Sequence, residues 1–222
     1  MTKITNQLVD RYGSEKTIAW LSDLVAPERL ALLDRVTRAR RTDLTLLLDR
    51  FYDPHNNAAV CRTAEAFGLV KVHAVPGSQG AALSHTVAQG VEKWIDFDVH
   101  ASTEAACDAL KAEGFTLLGA DVSGTPPGDL PHYDRICLVM GAEKPGLSEV
   151  ARAKCDGFVT IPMVGMVESF NVSVAAALLT YALSHRAPKL LSEDERRTLL
   201  ARYLVRTIQR PEIVLAELSA RC

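Results

Sequence analysis

Residues 43–68 read DLTLLLDRFYDPHNNAAVCRTAEAFG, and the fold is decided there. The apolar run between Asp43 and Asp49 has the length of a strand, not of a helix. Pro54-His55-Asn56-Asn57 then forms a helix start, AAVCRTAEAF carries the helix, and Gly68 suits the left-handed residue that ends one. Val60, Ala64 and Phe67 share one helical face, available to cover a sheet, and Arg62 lies roughly opposite. A strand, a short loop and a helix in succession make the unit of a parallel sheet.

The alternation continues outward from this unit. KVHAVP (71–76), WIDFDV (94–99), FTLLGAD (115–121), RICLVMG (135–141) and FVTIPM (158–163) read as strands. Helices are expected over 102–113, 148–155 and 171–185, and the last is apolar nearly all round, which predicts burial. Residues 77–90 form a Gly/Ser-rich connection. Before this core an amphipathic pattern runs over 16–40, with Pro27 and Glu28 opening its second half. After it, Ser192-Glu193-Asp194-Glu195 fits a capping box, and Pro211 fits the first turn of a last helix. The expected organisation is an α/β catalytic domain over 41–187, a mostly parallel sheet flanked by helices, with helical extensions over 1–40 and 188–222.

Composition narrows the function classes. The 222 residues are 48% hydrophobic and 23% charged, enough for one sizeable core. No apolar run reaches the roughly 18–20 residues of a membrane span, and MTKITNQLVDRYGSEK lacks the apolar stretch of a secretory signal, so a cytoplasmic protein is expected. Five scattered cysteines without a C-x-x-C pair suggest reduced thiols, mostly buried, and neither a disulfide framework nor a metal site. The net charge of −2 weighs against a polyanionic partner, but its distribution does not. Arg29, Arg35, Arg38, Arg40 and Arg41 crowd one stretch, and Arg196, Arg197, Arg202, Arg206 and Arg210 another. Each patch alone reads equally well as a solvated helix face.

Three segments carry polar residues where strands hand over to helices, the usual location of sites in parallel sheets. The first spans Asn56 to Arg62, and the long Arg62 arm leans back toward the helix start. The second is GAEKPGLS (141–148), where glycines admit a ligand to the backbone and Glu143 stands between them. The third is IPMVGMVESFNVS (161–173), an apolar loop ending at Ser169 and Asn171, above a helix start. Taken singly, each has a plain structural reading in which the polar residues cap or face solvent and the apolar ones pack.

Together, and in this order, the three segments resemble the signature motifs of the SpoU/TrmH class of RNA ribose 2′-O-methyltransferases. These are Asn-x5-Arg with a trailing Phe-Gly, Gly-x-Glu-x-x-Gly-hydrophobic-Ser, and Ile-Pro-Met-x-Gly-x-x-x-Ser-hydrophobic-Asn-Val-Ser. Asp43-Leu44-Thr45, Pro54-His55-Asn56, Arg62-Thr63-Ala64 and Val72-His73-Ala74-Val75 are similar to the branch that modifies guanosine 18 of tRNA, and the resemblance covers about residues 41–186.

The resemblance implies a C-terminal trefoil knot, a homodimer, a tRNA partner and S-adenosylmethionine held between the second and third loops. It implies cofactor contacts at Asp121, Gly141, Ile161 and Phe170, and catalytic polar residues Arg62, Asn56, Glu143, Ser169 and Asn171. Arg62 would serve either as a transient base or as an orienting cation. Phe170 replaces a common leucine, and Asp121 a frequent small hydroxyl residue. For RNA phosphates the expected contacts are Arg29, Arg35, Arg38, Arg40, Arg41, Arg196 and Arg197. A ribosomal RNA ribose methyltransferase and a non-catalytic knotted RNA-binding protein are the alternatives.

Overall fold

The computed structural model describes residues 2–51, 53–77, 90–142 and 144–221, so Glu143 and most of the 77–90 connection lie outside the described residues. Three helices come first, α1 (Thr2–Tyr12), α2 (Ser14–Ser22) and α3 (Pro27–Arg38). Strands and helices then follow in the order β1 (Leu44–Phe51), α4 (Pro54–Ala66), β2 (Lys71–Pro76), β3 (Asp96–Val99) and α5 (Thr103–Ala112). They continue through β4 (Thr116–Thr125), β5 (Ile136–Met140), α6 (Glu149–Lys154), β6 (Gly157–Val159) and α7 (Val172–Ser184). Two helices follow, α8 (Glu193–Thr207) and α9 (Pro211–Ala220). The chain divides into two compact units, Arg41–Lys189 and a second built from Met1–Arg40 together with Leu190–Cys222.

In the first unit six strands form one sheet in the order β3-β2-β1-β5-β4-β6. Every pairing is parallel, and Leu46 of β1 sits opposite Val72 on one side and Leu138 on the other. From β1 the chain builds outward through β2 and β3, then crosses to the far side of β1 for the other strands. The order therefore reverses between β1 and β5, and the loops leaving their carboxyl ends diverge and open a crevice there.

Side-chain alternation assigns the two faces. Leu46, Leu48, Leu138 and Met140 pack with Val60 and Ala64 of α4 and with Ala176, Leu179 and Leu183 of α7. Leu47, Cys137 and Val139 pack on the opposite face with Ala106 and Leu110 of α5 and Ala151 of α6. Strands buried on both faces need nearly continuous apolar residues, which explains the runs LTLLL and ICLVM; the one polar member, Thr45, donates its hydroxyl to the Lys71 carbonyl at 2.9 Å. Each fully buried leucine contributes roughly 1.5–3 kcal/mol over an exposed one.

Strand β4 runs on to Thr125, past its expected end at Asp121, and two further elements differ from the sequence expectation. The strand expected over 158–163 ends at Val159; Thr160 still donates to the Thr125 carbonyl, but Pro162 has no N–H to continue a ladder. Helix α7 is buried along Val172, Ala176, Leu179, Thr180 and Leu183, while Val174, Leu178 and Tyr181 stand 44%, 41% and 54% exposed. A helix lying on a sheet presents one face to it, and apolar residues on the other face remain in solvent.

In the second unit α1, α2 and α3 pack on α8. The Ser192 side chain caps α8 and Glu195 reaches back to the Ser192 N–H, completing the capping box. Arg196 bonds Asp34 at 2.7 Å and so joins α8 to α3. The sequence pattern began at Lys16; α1, which precedes it, carries buried Leu8 and Val9.

Candidate active site

The three motif segments all leave carboxyl ends of strands: the first follows β1, the second β5 and the third β6. In the first, Pro54 occupies the opening turn of α4, and the cap is Asp53, whose side chain accepts from the His55 N–H at 2.8 Å. Asn56 is thereby released from capping. Its Oδ1 accepts from Nδ2 of Asn171 at 3.3 Å, a bond between residues 115 positions apart. The Oδ1 of Asn171 accepts in turn from the N–H and hydroxyl of Ser173, at 2.9 and 2.6 Å, which caps α7. Asn171 thus starts one helix while its amide holds Asn56 on another.

The second segment turns back on itself. The Gly146 N–H donates to the Ala142 carbonyl at 3.0 Å, and Gly146 has φ of +84°, a conformation that favours glycine. A Cβ on Gly141 would lie 2.2 Å from backbone atoms of Gly146 and Leu147, so the fold-back needs glycine there too. The turn is anchored from below by Asp49, which is fully buried at the end of β1. Its two oxygens accept from the Ser148 N–H at 2.7 Å and the Thr103 hydroxyl at 2.6 Å. A buried carboxylate is tolerated when such donors satisfy it. Sequence reasoning passed over Asp49; the signal was a single acid closing an otherwise apolar strand.

Two adjoining clefts occupy the crevice. One, of about 550 Å³, is lined by Asp53, Asn56, Lys144, Ser169 and Asn171. The other, of about 200 Å³, is lined by Asp121, Gly141, Ile161, Met163 and Leu179. Ala142, Ser169 and Phe170 border both, so the clefts share a wall. Lys144 is an exposed cation at the first cleft that sequence reasoning also missed, hidden in a loop read for its glycines and Glu143. Arg62 is exposed on α4 and lines neither cleft, and Glu143 lies outside the described residues.

Burial works against ionisation of Asp121, but hydrogen bonds from Arg152 and from Ser123 outweigh it and hold the carboxyl at about 2. The second cleft therefore combines the Asp121 carboxylate with its Arg152 partner, bare glycine backbone and the apolar side chains of Ile161, Met163 and Phe170. That set fits a ligand with amine or hydroxyl donors at one end and a flat apolar ring at the other. Among the described residues no group of three or more side chains could hold a metal ion.

Of the arginines expected to meet RNA, the structure removes three from the surface. Arg40 is 1% exposed, its guanidinium 5.8 Å from the centre of the Tyr203 ring. Arg41 is 4% exposed and forks onto Asp43 at 2.9 and 2.6 Å while bonding the Ser184 carbonyl. Arg196 is divided between Asp34 and Glu193. Arg41 and Arg196 are paired internally and Arg40 is buried, so the local density of positive charge misstated what is offered to solvent. Arg35, Arg38 and Arg197 are exposed and Arg29 is half-buried. Cys61, Cys107 and Cys137 are buried free thiols, pushed up by burial, Cys61 to about 12 and Cys107 to about 11.

Similarity to known proteins follows the same residues. A protein from Thermus thermophilus named tRNA (guanosine(18)-2′-O)-methyltransferase is 37% identical over 151 residues, 67% of this chain and 78% of the relative. The crystal structure of an A. aeolicus TrmH/SpoU tRNA modifying enzyme superposes with a TM-score of 0.74 over 82% of this chain and 98% of that one, at 24% identity, a likeness of fold. The SpoU methyltransferase AviRb from Streptomyces viridochromogenes, solved in complex with AdoMet, is 26% identical with a TM-score of 0.59, over 67% of this chain and 60% of that one. The model of the SpoU rRNA methylase family matches residues 43–181, the span that contains the whole sheet and both clefts, and the chain is a member of that family.

Proposed function

We propose that this chain transfers a methyl group from S-adenosylmethionine to the ribose 2′-hydroxyl of guanosine 18 in tRNA. The observation that carries the reading is the meeting of segments from three strand ends in one crevice, where Asn56 bonds Asn171 and Phe170 stands between two clefts. The name of the T. thermophilus relative supports the substrate, and the AdoMet complex of AviRb supports the cofactor.

When bound, S-adenosylmethionine supplies an electrophilic methyl group. The chain's residues provide the rest. The ionised Asp121 accepts hydrogen bonds from the donor groups of the cofactor, while Ile161 and Phe170 wall its apolar ring. Asn56, Ser169 and Asn171 line the other cleft and hold the target nucleotide, so that its hydroxyl faces the second cleft across the shared wall. A 2′-hydroxyl is a poor nucleophile, and fixing it in line supplies much of the acceleration. A guanidinium keeps its proton in proteins, so we assign Arg62 the orienting role, steadying the phosphate and the developing oxyanion, while the proton of the 2′-hydroxyl passes to solvent at the open crevice. Glu143 is assigned to the same polar set by its motif.

The same reading includes a trefoil knot in the C-terminal part of residues 41–187, a homodimer and a cytoplasmic location. The exposed apolar stripe of Val174, Leu178 and Tyr181 on α7 supports the dimer, since a second copy would cover it. The terminal helical segments are assigned to gripping RNA through Arg29, Arg35, Arg38 and Arg197.

The test is transfer of labelled methyl to unmodified bulk tRNA and to ribosomal RNA, with nuclease mapping, for the wild type and Arg62→Ala. Label on the D-loop guanosine ribose, reduced at least about 100-fold in the variant, is expected. Transfer to ribosomal RNA alone would overturn the substrate, and transfer to neither would overturn the reaction.

A further inference from the structure

At the amino ends of the strands, away from the crevice, lies another cavity of about 530 Å³ whose lining includes Leu44 and Ile136, the first residues of β1 and β5. Its charged lining is Arg41, Asp43, Asp134, Arg135, Arg186 and Lys189, with His132 beside them. Arg41 and Asp43 neutralise one another. Asp134 is 93% exposed and lies 3.4 Å from His132. That leaves Arg135, Arg186 and Lys189, for which no carboxylate partner occurs among the described residues.

The two guanidiniums are held in place without losing charge. Arg135 bonds the carbonyls of Thr42 and Glu113 and lies 3.9 Å from the centre of the Phe115 ring. Arg186 bonds the carbonyls of Pro131 and Leu130 at 3.1 and 3.5 Å. Carbonyl oxygens fix the orientation of each fork but do not cancel its charge, and each fork keeps N–H groups to spare. Two preset guanidiniums and a mobile ammonium around a polar cavity are the donor set for a phosphate.

We infer that this cavity is a phosphate-binding site, separate from the methyl-transfer crevice, filled either by a phosphodiester of an RNA backbone or by a free nucleoside phosphate. Its volume admits a group of that size. The site stands whether or not the proposed reaction is right, because none of its residues lines either cleft.

The test uses the full chain, a tRNA transcript and inorganic pyrophosphate, which lacks the ring and the amine that the Asp121 cleft would recognise. Two variants are compared with the wild type: Arg186→Gln with Lys189→Gln, and Lys189→Glu alone, whose exposed side chain anchors nothing in the described structure. Wild-type protein is expected to broaden the phosphorus resonance of pyrophosphate, and both variants to lose the effect while keeping their far-ultraviolet circular dichroism. If RNA is the source, the double variant also binds tRNA about tenfold more weakly, with a salt dependence shallower by roughly one to two units. If the source is a free nucleoside phosphate, tRNA binding stays at the wild-type level and only the pyrophosphate effect disappears. Wild-type binding of both probes by the folded variants, or no pyrophosphate effect with wild-type protein and an unaltered salt slope, would overturn the site. Methyl transfer measured in parallel keeps this outcome distinct from failure of the proposed reaction.

Discussion

Asp49 touches neither cleft, yet it joins the end of β1 to the turn that lines both. Exchanging it for asparagine keeps the shape but turns one acceptor toward donors as an NH2 group, leaving a buried hydroxyl or N–H without a partner. Asp49→Asn is expected to cost roughly 1–3 kcal/mol of stability, read in a denaturant titration, and to weaken S-adenosylmethionine binding through the loosened turn. Asp121 predicts a pH effect of defined sign. Its folded carboxyl is held at about 2, below the ordinary 3.8, so its contribution is complete above that ordinary value and is lost as pH falls through about 2. Acid unfolding of Asp121→Asn should therefore be less steep between those two values; an unchanged profile would remove the Arg152 pair from the account. Residues in the motif segments were readable only together, because each segment taken singly also has a plain structural reading and the resemblance rests on all three in order. The Asn56–Asn171 bond was not readable, because 115 positions separate its ends and only the parallel sheet brings them together. The burial of Arg40 was equally hidden, since its neighbour Tyr203 comes from α8.

At the scale of elements, alternation and capping made the order of strands and helices readable, because both signals are local. Ser102, Ser148 and Ser192 cap α5, α6 and α8 through their side chains. Strand order was not readable, since no local pattern tells β1 to sit between β2 and β5. The apolar surface of α7 shows the same limit from another side: hydrophobicity marks a helix as covered without saying by what. If a second copy covers it, Leu178→Asp placed in the exposed stripe should shift the protein from dimer to monomer in light scattering at micromolar concentration. The charge would face solvent in the monomer, so stability of the isolated chain should change by less than about 0.5 kcal/mol. A variant that remains dimeric would assign the stripe to some other contact.

For the whole molecule, a net charge of −2 conceals how positive charge is distributed. Arg41 is buried against Asp43 and Arg196 is divided between Asp34 and Glu193, whereas Arg35, Arg38 and Arg197 reach solvent, Arg38 on an exposed pair with Asp34 and Arg197 beside Glu15 and Glu193. Replacing these last three by alanine should weaken tRNA binding and make its salt dependence shallower by about two to three units, with S-adenosylmethionine affinity unchanged in calorimetry. Unaltered tRNA affinity would show that the helical unit does not grip the substrate. Whether the crevice between β1 and β5 brings a methyl donor and a ribose hydroxyl together can be read from two tRNA transcripts. One carries guanosine and the other 2′-deoxyguanosine at position 18, and labelled methyl transfer is measured on both. Label is expected on the first and none on the second; equal labelling of the two transcripts would overturn transfer to the 2′-hydroxyl.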